Sequence, residues 1–123
     1  MIFRKRHLFF CTVLALFSIA CEEVLVVEDI SQDSVVVLAP TSNSILAEGS
    51  VTFSWSELLD AEQYRLQLAT PTFENASQIL LDSLITTTSF SKTLEFGNYE
   101  WRIRAENSEY QTAYTIQNFT VEE

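Results

Sequence analysis

A strict alternation of apolar and charged residues over positions 99–106 constrains the fold of this chain more than any other feature. The apolar set and the charged set fall on opposite faces of an extended segment: Tyr99, Trp101, Ile103 and Ala105 against Glu100, Arg102, Arg104 and Glu106. A period of two predicts a β-strand with one buried face. The same period recurs at 51–55 and 64–68.

The spacing of such segments predicts an all-β domain. Additional strands are predicted near these apolar and β-branched runs: 35–38, 79–85, 86–90 and 114–121. About seven short strands separated by turn residues indicate a seven-stranded antiparallel β-sandwich over residues 35–123.

The parity of the apolar residues, that is, whether they stand at odd or even positions of a strand and so on which face they lie, also predicts local detail. Trp55 and Trp101 both stand at inward positions, so we expect them in the core and not on a ligand platform. In the last strand the apolar parity shifts between Ile116 and Phe119, which predicts a bulge or a bend there.

The N-terminus has the layout of an export signal. A basic segment, Arg4 to Arg6, precedes an apolar run of 13 residues, 8–20, which is shorter than the roughly 20 residues that span a bilayer. Residues 18–21 resemble the lipobox of bacterial lipoproteins, and the acidic pair after Cys21 is similar to the export tag of Bacteroidetes surface lipoproteins. This resemblance implies a signal peptide at 1–20, a lipidated Cys21, an acidic tether at 21–34 and an outer-membrane location. An uncleaved anchor, or a signal cut elsewhere, remains the alternative, and the sequence leaves open whether the protein faces the periplasm or the exterior.

Charge and residue usage exclude several functions. Loss of residues 1–20 removes three of the seven cations, so the mature chain carries four cations against 17 anions, a net charge of −13. Such a chain repels phosphate backbones, so no nucleic-acid partner is expected. The only histidine, His7, and one of the two cysteines lie in the signal, so we expect no His- or Cys-dependent catalysis, no cofactor and no metal. Two alternatives stay open: a carboxylate-only hydrolase, for which no acidic pair stands out, and a calcium loop at 29–33 instead of a solvated tether.

The pattern of strands resembles that of a fibronectin type III or related immunoglobulin-like domain. The resemblance rests on Val51 to Trp55, Tyr64 to Leu66, Leu94, and Tyr99 to Asn107, and it spans about residues 36–122. It implies a core Trp on the second strand and a corner between Leu94 and Tyr99. It specifies a fold and leaves the ligand undefined.

Arg65, Arg102 and Arg104 are the candidate binding residues. The resemblance places their strands side by side with all three side chains outward. They are expected either to pair across strands with Glu62, Glu100 and Glu106, or to form a docking strip for an acidic glycan or a partner's carboxylates. A second surface is possible at the loop and edge aromatics, which otherwise cap the sandwich: Phe73, Phe96, Tyr110 and Tyr114.

These features favour a non-enzymatic, lipid-anchored module of the cell envelope that contacts a glycan or another envelope protein. The alternative is a structural accessory subunit of an outer-membrane assembly without a ligand of its own. Membrane contact is expected through the lipid anchor alone, and the sequence leaves the oligomeric state undefined.

Overall fold

The computed structural model describes residues 26–123, which form eight β-strands and no helix. The strands, numbered in chain order, are β1 (Val37–Ala39), β2 (Ser44–Ala47), β3 (Gly49–Trp55), β4 (Gln63–Thr70), β5 (Gln78–Ile85), β6 (Ser89–Leu94), β7 (Gly97–Glu106) and β8 (Thr115–Glu122). The predicted all-β class is confirmed. No helix suited to crossing a bilayer occurs within residues 26–123. The predicted signal peptide and Cys21 lie outside the described residues.

The strands form two sheets that pack face to face. Sheet A has the order β1-β3-β6, and sheet B has the order β2-β8-β7-β4-β5. The strand count exceeds the predicted seven because β2 forms after Pro40, in a segment where the sequence predicts a turn and no strand. Residues before Pro40 pair with β3, whereas β2 runs parallel to β8 in the other sheet. Proline cannot donate a backbone hydrogen bond, so the ladder is interrupted where the chain changes sheets.

Both tryptophans lie in the core, as predicted from parity. Trp55 is 2% exposed and Trp101 is 0% exposed. Phe53 meets Trp101 edge to face with ring centroids 5.1 Å apart, and Trp55 meets Tyr64 in the same way at 5.6 Å. Edge-to-face geometry suits the quadrupoles of aromatic rings, so these pairs stabilise the core beyond their buried area.

The predicted corner before β7 is also present. Tyr99 donates its hydroxyl hydrogen to the carbonyl of Glu95 at 2.7 Å, while Leu94 is buried beneath the turn. Gly97 has φ of +154°, in the region that favours glycine. The tyrosine therefore fastens the turn that connects sheet A to sheet B.

The predicted bulge in the last strand is wrong. Strand β8 pairs with β7 without a break from Thr115 to Val121, and Ile116 simply points outward, 51% exposed. The register shifts lie elsewhere, between Leu68 and Ala69 of β4 and between the two paired residues of β1. The apparent shift of parity arises because Ile116 is an apolar residue on the outer face, whereas Phe119 and Val121 face the core.

The segment before β1 packs onto the sandwich. Ile30 and Val35 are 1% and 2% exposed and belong to the core, although residues up to 34 were assigned to the tether. The amide of Asn107 donates to the carbonyls of Glu28 at 2.9 Å and Asp60 at 3.3 Å. This single side chain ties the N-terminal segment to two loops at one end of the domain.

Candidate functional site

The three candidate arginines lie side by side on the outer face of sheet B. Arg65 of β4 is directly opposite Arg104 of β7, and Gln67 is opposite Arg102. Their neighbours Tyr64, Leu66 and Ile103 are buried, so parity turns the arginines away from the core. Each guanidinium keeps a partly exposed position above the sheet.

Two of the arginines are engaged in ion pairs. Arg65 contacts Asp82 of β5 at 2.8 Å and Glu106 at 3.6 Å, and Arg104 contacts Glu106 at 2.8 Å. The Glu106 side chain is 13% exposed, and it also accepts a hydrogen bond from Gln63 at 3.2 Å. Glu106 thus holds both guanidinium groups in fixed positions.

The carboxyl pKa values follow from these contacts. The hydrogen bond from Arg65, helped by Gln67, lowers the pKa of Asp82. Burial alone would raise the pKa of Glu106, but its hydrogen bonds with Arg104 and Gln63 outweigh that effect, so the pKa is lowered. Both carboxylates therefore remain charged at neutral pH and neutralise part of the arginine charge.

Arg102 has a different environment, because it is held by rings instead of carboxylates. Its guanidinium carbon lies 4.1 Å from the centre of the Phe73 ring and 4.4 Å from the centre of the Tyr114 ring. Gln67 accepts a hydrogen bond from its Nε at 2.6 Å. Within residues 26–123, no carboxylate lies within 4.0 Å of Arg102. Aromatic contacts of this kind hold a cation in place without cancelling its charge.

The loop between β4 and β5 supplies one side of this arrangement. Glu100 accepts a hydrogen bond from the backbone N–H of Phe73 at 3.0 Å, which positions the ring over Arg102. Glu100 therefore orients an aromatic residue instead of pairing with an arginine. Of the three predicted partners, only Glu106 forms an ion pair with these arginines; Asp82 was not among them.

We call this surface the Arg–aromatic face and define it by its guanidinium groups, its rings and the apolar residue beside them: Arg65, Arg102, Arg104, Phe73, Tyr114 and Ile116. Tyr114 also lies 4.7 Å from the guanidinium carbon of Arg104, so one ring contacts two cations. Ile116 is the cross-strand neighbour of Arg102 on β8. Aromatic residues and arginine are the types enriched at protein interfaces, and here they contact one another on the outer face of sheet B.

The other aromatic candidates are arranged differently. Phe96, in the corner before β7, is 60% exposed, and the guanidinium–ring contacts within residues 26–123 involve Phe73 and Tyr114 instead. Tyr110 is partly buried against the core, so it acts in packing. The site residues that parity cannot indicate are thus Phe73 and Tyr114, because the sequence alone fits either a capping or a contact role for both.

Residues 26–123 contain no group of three or more acidic, His or Cys side chains arranged to hold a metal. In the segment considered for calcium, Asp29 uses one carboxylate oxygen to accept hydrogen bonds from the backbone and the hydroxyl of Ser31. These bonds lower the pKa of Asp29. The segment therefore has the geometry of a local turn.

No protein-family model and no curated protein match the chain. Solved structures of fibronectin type III domains do match. The crystal structure of FN3tt is 16% identical, with a TM-score of 0.51 over 73% of this chain and 90% of that chain. A mutant of FN3tt is 15% identical, with a TM-score of 0.50 over 73% and 93%. The solution structure of the fibronectin type III domain of the human KIAA0970 protein is 12% identical, with a TM-score of 0.51 over 72% of each chain.

The described residues therefore have the fibronectin type III fold. Identities this low define the fold alone. The function has to be argued from this chain's own surface.

Proposed function

We propose that this protein is a lipid-anchored, non-enzymatic binding module of a bacterial cell envelope, and that its Arg–aromatic face docks another envelope protein. The observation that carries the proposal is the position of Arg102. Its guanidinium contacts the rings of Phe73 and Tyr114, forms no ion pair within residues 26–123, and stands beside the exposed Ile116. Little side-chain freedom remains to be lost when a partner's acceptor approaches.

The composition of the face favours a protein over a glycan. Sugars bind by stacking on aromatic rings, but the rings of Phe73 and Tyr114 already contact guanidinium groups. The described residues carry 15 carboxylates against four cations, so an extended polyanion would be repelled beyond the arginines. A protein segment with a carboxylate or carbonyl for Arg102 and an apolar side chain for Ile116 matches the surface on both counts.

The anchor belongs to the same proposal. Acyl chains on Cys21, after removal of residues 1–20, would attach the domain to the membrane, since a single chain binds only weakly and two or more bind firmly. The intact mass of the protein from its bacterial host tests this step directly. We expect the mass of a chain that begins at an acylated Cys21, and an unprocessed mass for Cys21→Ala.

A photo-crosslinking experiment tests the docking face. A photoreactive amino acid at Ile116 reports on the Arg–aromatic face, and the same group at Ser91, on sheet A, is the control. We expect a defined protein adduct from position 116 only. Arg102→Gln should reduce the adduct at least tenfold without disturbing the ion pairs of Glu106, whereas Lys92→Gln, which removes the one described cation outside this face, should leave it unchanged.

Three outcomes would count against this docking role. Equal adducts at the two positions would show that the face is not specific. Binding to an anionic glycan panel that is lost in Arg102→Gln would assign the face to a glycan instead. A stoichiometric partner that co-purifies in mild detergent irrespective of Arg102 would indicate a structural accessory subunit.

A further inference from the structure

The free edge of sheet B is formed by β5, and it is unusually apolar. Among residues 26–123, β5 pairs with β4 on one side only. Five of its eight residues are Ile or Leu, and two of them, Ile79 and Leu84, are 52% and 50% exposed. An exposed, long, apolar edge strand offers its free backbone N–H and C=O groups for pairing with another strand.

The other three edges of the described sandwich are protected against such pairing. Strand β1 has three residues and ends just before Pro40, and β2 has four residues. On β6, Lys92 stands opposite the buried Val51 and so points inward, a known device that prevents strand addition. Strand β5 has neither a proline nor a lysine, and it is as long as β8 in the same sheet.

The one charge on β5 is already neutralised. Asp82 is the only ionisable residue between Gln78 and Ile85, and it pairs with Arg65 at 2.8 Å. The approach of a second strand therefore meets a local surface without net charge, although the domain as a whole is strongly acidic. Local neutrality is most important when the approaching strand belongs to an equally acidic domain, because the two domains otherwise repel each other.

We infer that β5 pairs with β5 of a second copy of this chain, about a two-fold axis at Ser83. In this antiparallel register Leu81 lies opposite Ile85 on the inner face, and Asp82 lies opposite Leu84 on the outer face. Residues opposite one another share a face, as the β4–β5 pairing requires. No like charges are directly opposed, and both copies use the same patch, as a two-fold interface must.

Alternative axes fit less well. An axis at Asp82 would place the two Asp82 carboxylates directly opposite each other. An axis at Leu84 would pair only the last three residues of the strand. An axis at Leu81 would include Leu80, which the register shift next to Leu68 leaves without a partner on β4. The sequence of β5 thus selects one self-complementary register.

This dimer goes beyond the proposed docking role. Pairing at β5 joins two five-stranded sheets into one, with the two Arg–aromatic faces on the same side because residues opposite each other share a face. Neither face is covered by the contact. A partner with two binding segments would then engage both copies at once, which raises its affinity without any new contact.

A cysteine at the axis tests the register. In Ser83→Cys, the two Cα atoms would be about 4.5–5.5 Å apart, which a disulfide spans. The protein is purified from its bacterial host in mild detergent, oxidised gently and analysed on a non-reducing gel, with the unaltered protein measuring any background from its own cysteines. Ser91→Cys, an exposed serine on sheet A, is the matched control.

We expect Ser83→Cys to form a disulfide-linked dimer at least tenfold faster than Ser91→Cys. Adding Leu84→Glu, which places a carboxylate opposite Arg65 within its own sheet but directly opposite Asp82 of the second copy in this register, should abolish this difference because like charges then face each other across the interface, and Arg102→Gln should not alter it. Light scattering should show two protein chains per particle, and one chain after Leu84→Glu. A mass of one chain together with equal crosslinking at positions 83 and 91 would overturn the inference, as would a Ser83→Cys disulfide to a different protein.

Discussion

The two core tryptophans provide a sharp test of the packing, because they differ in one hydrogen bond. Trp101 donates from Nε1 to the carbonyl of the buried Pro40 at 3.0 Å. Trp55 is equally buried, but its Nε1 has no acceptor within the described residues. We therefore compare Trp101→Phe with Trp55→Phe, which remove the same atoms from the same core.

The expected difference in stability between the two variants comes from the Pro40 carbonyl, which loses its hydrogen-bond donor only when Trp101 is replaced. Both substitutions lose similar apolar area and leave similar space, so those costs largely cancel. Trp101→Phe also leaves the Pro40 carbonyl without its donor, at a cost of about 1–3 kcal/mol, whereas Trp55→Phe removes an unsatisfied donor. Trp101→Phe should therefore destabilise the protein more, by about 1–3 kcal/mol.

Urea unfolding followed by far-ultraviolet circular dichroism measures this difference without relying on tryptophan fluorescence. For a domain of this size, 1 kcal/mol corresponds to roughly 4–8 °C in Tm, so a thermal scan gives an independent check. A Trp55→Phe variant that is as unstable as Trp101→Phe, or less stable, would refute the assignment of the hydrogen bond.

Further predictions concern Tyr99 at the corner and the partly buried carboxylate of Glu106. Tyr99→Phe removes the hydrogen bond to Glu95 and should lower the free energy of unfolding by about 0.5–1.5 kcal/mol in urea titrations; an unchanged value would mean that the corner does not depend on this bond. Glu106→Gln should cost about 1–2 kcal/mol at neutral pH, because Arg65 and Arg104 lose a charged acceptor. The folded-state pKa of Glu106 is lowered, so its contribution to stability is present above the unfolded pKa and is lost as the pH falls below about 4. The free energy of unfolding, measured from pH 7 to pH 2, should therefore fall less steeply with decreasing pH in Glu106→Gln than in the unaltered protein. Parallel curves for the two proteins would contradict this reasoning.

The faces of the long strands could be predicted from sequence because the side-chain period of a strand is fixed at two. Trp55, Trp101 and the outward arginines follow from that rule alone. Strand β2 could not be predicted, since residues 41–47 have no clear alternation and β2 is held by its parallel pairing with β8. The burial of Ile30 could not be predicted for a related reason, because a single apolar residue in an acidic segment forms no periodic pattern.

The site was predictable only in part. Parity turned the three arginines outward and the fibronectin type III resemblance placed their strands side by side, but neither carries information on the lateral register between strands. Asp82 reaches Arg65 only because β5 pairs with β4 in this register. Phe73 reaches Arg102 because a loop folds back over the sheet and Glu100 holds it there. Contacts that depend on register and on loop geometry require the folded chain.

Charge placement finally limits which partners the Arg–aromatic face can accept. Three of the four cations in the described residues stand on this face, interleaved with Asp82, Glu100 and Glu106. At physiological ionic strength a charge acts over about 8 Å, so a docked group senses the guanidinium beside it and little of the acidic remainder. A long anion would extend past the arginines into the field of the other carboxylates, whereas one acceptor on a mostly apolar surface would meet Arg102 alone. The proposed docking would therefore suit a partner with a single well-placed acceptor, and the contribution of Arg102 would depend on its being the one guanidinium of this face that forms no ion pair within residues 26–123.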